Sequence, residues 1–109
     1  MVNPLAGEVE IRLDGVAHCA RLTLGALAEM EALPGSPGLI ALISRLEAGE
    51  FSGRDLLALL VAGLRGGGWQ GGSPDLLTVR IGYGGDEGPL AAARAAADLL
   101  TRAFALPEP

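Results

Sequence analysis

The chain has no lysine: all eight of its basic residues are arginines, placed singly at positions 12, 21, 45, 54, 65, 80, 94 and 102. Acidic residues outnumber them, giving a net charge of −5. A nucleic-acid binder needs a concentrated basic face to displace counterions from phosphates, and this scatter excludes one. Cysteine occurs once, as Cys19, so there is no internal disulfide, and with a single histidine the ligands for a zinc site are lacking. Aromatic residues make up only 4% of the chain. A core for 109 residues must therefore come from Leu, Ala, Val and Ile, which suits packed helices better than a sandwich of sheets. No apolar run reaches the roughly 18 residues of a membrane span, and the start "MVNPLAGEVEIRLDG" has neither the basic head nor the apolar run of a signal peptide. The expectation is a soluble cytoplasmic protein of one domain, residues 1–109.

What is present is strongly patterned. Between residues 8 and 22, Val9, Ile11 and Leu13 alternate with Glu8, Glu10, Arg12 and Asp14, the period of a half-buried strand. Asp14-Gly15 is a two-residue hairpin turn, and it pairs Leu13 with Val16, Ile11 with His18 and Val9 with Ala20. Two strands with one apolar face need cover, so helices must follow. Thr23 caps the first, with Leu24, Leu27 and Met30 inward and Pro34-Gly35 as its stop. Ser36-Pro37 opens a second, with Leu39, Leu42, Ile43 and Leu46 at three-four spacing, Gly49 as stop, and Phe51 placed to fold back. Ser52 with Asp55 opens a third, apolar around most of its circumference and so central, which runs to Arg65.

Over residues 76–83 two signals compete. Ser73-Pro74-Asp75 is a helix opening, whereas Val79, Ile81 and Tyr83 alternate like a strand; the opening favours a helix. After Gly88-Pro89 a last helix carries Leu90, Ala93, Ala97, Leu100 and Phe104 as its apolar stripe, and Pro107 stops it. The fold class is thus α+β and mainly α: a hairpin at 8–22 packed on a bundle of four or five short helices at 23–106, with a glycine-rich loop at 66–72.

That loop belongs to "GLRGGGWQGG", residues 63–72, where six glycines surround the only tryptophan. A phosphate cradle places its glycines before a helix N-terminus, but these follow a helix and lie at the negative end of its dipole. No Lys-Ser/Thr completes a P-loop and no strand precedes the glycines. The stretch reads as a helix stop and hinge, carrying Trp69 either as a lid on the core or as a contact for a partner. His18 falls on the inner face of the hairpin with no nucleophile in evidence, and Cys19 is a small filler on the outer face. Asp14, Asp86 and Glu87 lack the spacing of a cation-binding loop, and the latter two complement the dipole of the last helix. Neither a catalytic residue nor a metal or cofactor site is expected.

Three segments together carry a resemblance: "LTLGALAEMEA" after the hairpin, "FSGRDLLALLVAGLRGGGW", and "GPLAAARAAADLLTRAFALPE". In their order, over about residues 4–108, the chain resembles the small tail protein of bacterial gene transfer agents, the phage-like particles that package host DNA, and of related prophages. The resemblance implies a tail assembly chaperone that holds the tape-measure protein while tube subunits polymerise, or else a structural tail tube or connector component associated with the virion. Tube subunits stack as rings of long-stranded β-barrels, and a helix-rich chain with one short hairpin fits the chaperone better. The implied partners are the tape-measure protein and tail tube subunits, with self-association allowed by the Leu- and Ala-rich surface. The resemblance brings no catalytic residues. Trp69, Phe51, Leu64, Arg65 and Phe104 are the candidate contact residues.

Overall fold

The computed structural model describes residues 7–32 and 38–103. In chain order they form β1 (Val9–Leu13), β2 (Val16–Ala20), α1 (Leu24–Ala32), α2 (Leu39–Ala48), α3 (Gly53–Gly66), α4 (Ser73–Leu76), β3 (Ile81–Tyr83), β4 (Asp86–Glu87) and α5 (Pro89–Ala103). The architecture is α+β and mainly α, as the patterning implies. The hairpin is built in the expected register, with Leu13 opposite Val16, Ile11 opposite His18 and Val9 opposite Ala20. Its turn is left-handed at both Asp14 (φ 51°) and Gly15 (φ 84°), the geometry that matches the twist of the flanking strands.

The hairpin is half of a larger sheet. The strand order is β2-β1-β3-β4, all antiparallel, so the segment in which a helix was favoured supplies two more strands. Both signals in it are real. Gly72 and Asp75 close a capping box, the Gly72 amide donating to Asp75 Oδ2 at 2.7 Å, but the helix lasts only from Ser73 to Leu76. The β-branched alternation then prevails, because Ile81 finds Leu13 as its cross-strand neighbour. Asp14 fixes that junction: its amide donates to the Arg80 carbonyl and its carboxylate accepts from the Arg80 amide, both at 2.9 Å. A second hairpin turn, at Gly84-Gly85, also has positive φ at both positions.

Helix α3 runs through the centre. Leu59, Leu60 and Leu64 are fully or almost fully buried, and α1, α5 and β2 all pack against this helix. Its start is the Ser52–Asp55 capping box, with the Asp55 amide donating to Ser52 Oγ and the Ser52 amide to Asp55 Oδ2. Asp55 is itself buried, and its second carboxylate oxygen accepts from Arg45 of α2 at 3.0 Å, so one side chain caps α3 and ties α2 to it. Thr23 caps α1 as expected, its hydroxyl accepting from the Ala26 amide. Helix α2 ends at Gly49 (φ 72°), with the Glu50 amide reaching back to the Arg45 carbonyl. The proposed signals Pro34-Gly35 and Ser36-Pro37 lie outside the described residues.

Three inward assignments are corrected. Leu24 is 85% exposed: it is the first residue after the Thr23 cap, and the buried face of α1 is centred on Ala26, Leu27 and Met30. Val16 is 60% exposed, because the helices do not reach the tip of the hairpin. In α5, Leu90 and Ala97 point outward and Ala93 is only half-buried. The buried face is Ala92, Ala95, Ala96, Leu99 and Leu100, because small side chains let α5 come close to α3 and the sheet.

That closeness is greatest at the glycines of α3. A methyl group on Gly66 would stand 2.0 Å from the Arg21 carbonyl oxygen, and one on Gly67 would stand 2.0 Å from that of Cys19. The end of the helix therefore rests on bare strand backbone, and the Arg21 amide donates to the Gly63 carbonyl at 2.7 Å. Gly66→Ala or Gly67→Ala should cost about 3 kcal/mol, since the obstructing atoms are backbone and cannot move aside. Gly53→Ala, with open space at its first-turn position, should be neutral or stabilising by up to about 1 kcal/mol. Urea unfolding of the three variants checks the contrast.

Candidate functional site

The loop after α3 is held in place. The Gly68 amide donates to the Arg65 carbonyl and the Trp69 amide to the Leu64 carbonyl, with Gly68 at φ 110°: a helix closure that turns the next side chain back toward the helix. Trp69 is accordingly half-buried against the hydrophobic core. Its indole lies over Gly71, where a methyl group would meet the ring at 2.2 Å. Arg65 completes the fastening, donating to the Gly71 carbonyl at 3.1 Å and pairing with Glu29 of α1 at 3.3 Å. The hinge read from the glycines is thus a pinned loop: of glycines 66, 67, 68 and 71, only Gly68 has positive φ, and the other three make room for neighbours.

Beside this loop lies an apolar groove of about 280 Å³ between α1 and α3. Ala58, Val61, Ala62 and Arg65 line it from α3 at helical spacing, and Ala26 and Met30 from α1. Its small floor residues admit a close approach, and the Arg65–Glu29 pair stands at its border. Of the candidate contact residues, Arg65 lines the groove, Trp69 lies in the adjoining loop, and Leu64 is fully buried within the core. Phe51 is half-buried before α3, and Phe104 lies outside the described residues. The groove alanines were not singled out in the sequence, although Ala58 and Ala62 stand one helical turn apart.

The remaining polar groups form fastenings. His18 is half-buried opposite Ile11. Cys19 is half-buried too, and its thiol pKa is raised, first by burial and then by the Glu8 carboxylate. Asp86 pairs with Arg94 of α5 at 2.5 Å, and the Arg102 guanidinium donates to the Glu8 carbonyl at 2.6 Å. Tyr83, which sequence reading did not single out, donates its hydroxyl to Asp98 of α5. Burial first, then the hydrogen bond and the negative charge of Asp98, pushes the phenol up to about 12. No group of three metal-ligating side chains is assembled among the described residues, and no helix there is long and apolar enough to cross a membrane.

Trp69→Ala should lower the melting temperature by several degrees, at roughly 4 °C per kcal/mol for a chain of this size. Tyr83 is the only tyrosine, so absorbance at 295 nm follows it alone; the midpoint should lie near 12, and Asp98→Asn should move it toward the ordinary value of 10. Because the folded pKa is raised, the stability from the protonated phenol is complete below pH 10 and is lost as pH rises toward 12. Tyr83→Phe should abolish that segment of the stability–pH curve in chemical denaturation.

Comparison with known proteins supplies the context for this face. The model of the family described as phage tail tube protein, GTA-gp10, matches residues 6–106. No curated protein and no solved structure matches the chain. A family match over nearly its whole length shows that the chain belongs to the GTA-gp10 phage tail tube protein family and has a tail-associated role.

Proposed function

We propose that the chain is a tail assembly chaperone, binding the tape-measure protein and tail tube subunits by reversible contacts while the tail is built. The observation that carries this reading is the apolar α1–α3 groove beside the Trp69 loop, floored by alanines and bordered by Arg65 and Glu29. Such a groove receives an amphipathic helix through anchors on one face, as expected for contact with an elongated helical protein. The longest strands here have five residues, which is short for a subunit whose job is to form rings of β-barrels. Binding through the groove calls for no catalytic group. It places the protein in the cytoplasm during assembly.

The second reading is a structural component of the tube or its connector, and the family description, which names a tail tube protein, favours it. Mass spectrometry of purified particles separates the two: a chaperone is absent from them, whereas a tube subunit is abundant. Co-expression with the tape-measure protein should yield a soluble complex, and Ala62→Arg, which fills the groove with a charge, should lower recovery of that complex at least tenfold without unfolding the protein. A complex unaffected by this change would overturn the assignment of the groove.

A further inference from the structure

A second apolar groove, of about 340 Å³, separates α2 from the last turns of α5. Ile43 and Leu46 line one wall; Ala97, Leu100 and Thr101 line the other. The helix is anchored there by Arg102, bonded to the Glu8 carbonyl, and its described part ends at Ala103. Six residues follow, "FALPEP", beginning at the edge of the groove. Phe104 stands seven, four and three positions after Ala97, Leu100 and Thr101, so one further step of helix places it on the face they share. Helical side chains lean back over the preceding turn, which directs this one along the groove. Pro107 disfavours helical geometry at Leu106 but leaves Phe104 and Ala105 free to continue the helix. Both large side chains of the segment, Phe104 and Leu106, are apolar, and its single charge, Glu108, comes after the proline.

We propose that the occupant of this groove is the chain's own C-terminal segment, with Phe104 inserted between Ile43 and Leu46 of α2 and Leu100 of α5. Phe104 is then part of the fold and not a contact for a tail partner. The insertion also supplies α2 with the apolar cover it otherwise lacks, since Leu42 is its only fully buried residue. Only two phenylalanines occur in the chain, so the ring signals of Phe104 are readily assigned by NMR. In the wild-type protein, nuclear Overhauser contacts should join its ring protons to the methyl groups of Ile43 and Leu46. Phe104→Ala should remove them and lower the melting temperature by several degrees. Absence of these contacts in the wild type would overturn the proposal. So would contacts seen only between differently labelled copies, which would make a second molecule the occupant, or an unchanged melting temperature in Phe104→Ala.

Discussion

The contact between the end of α3 and the backbone of β2 holds helices and sheet together. Gly66 and Gly67 meet the carbonyls of Arg21 and Cys19 with no side chain between, and the Arg21 amide bonds the Gly63 carbonyl. A strand at the edge of a sheet exposes unpaired backbone groups, and covering it with a helix end is one of the ways in which proteins close such an edge. Here one contact does that and also satisfies a carbonyl in the last turn of α3, which lacks partners within the helix. Everything downstream inherits its position. Gly68 closes the helix, Trp69 turns back onto the core, and Arg65 ties the loop to α1 through Glu29.

Local chemistry was legible wherever it was decided by neighbours in sequence. The Asp14-Gly15 hairpin with its full register, the Thr23 cap, the Ser52–Asp55 capping box and the Gly49 stop all appear as the residues dictate. Long-range approaches were not legible. A run of glycines reads as freedom when no neighbour is known, yet Gly66 and Gly67 are there because another strand lies against them. The same reason hid the rotation of α5: Leu90 looks like an anchor by hydropathy, but the close approach selects the alanine side, and Leu90 is left 72% exposed. Ile81 and Tyr83 became a strand because β1 had an open edge to offer, which no window confined to 76–83 contains.

The candidate partner face follows from the same economy of small side chains. Alanines on α5 bring it close to α3, with Gly63 directly against Leu99. Alanines on the other side of α3 have no such neighbour, and between Ala58, Ala62 and Ala26 the surface sinks into the α1–α3 groove. One helix thus uses small residues twice, once to pack within the chain and once to leave room beside it. Trp69 and Arg65, read from the sequence as contact candidates, are found at the edge of that space for reasons of folding: each is placed by the closure of α3.

Helix α2 is held differently from the rest. Its N-terminus is bonded by Glu31 of α1, whose carboxylate accepts from the Leu39 amide at 3.0 Å, and its last turn is bonded through Arg45 to buried Asp55. Its apolar face is only partly covered, with Leu39, Ile43 and Leu46 half-buried. An element secured by polar contacts at its ends and little apolar burial between them opens at lower free energy than the helices around it. Asp55 makes this opening asymmetric. If α2 leaves, Asp55 keeps its bonds within the capping box and α3 stays intact, but the carboxylate loses its cationic partner in a buried position. The cost of leaving that charge unpaired is what returns α2 to its seat.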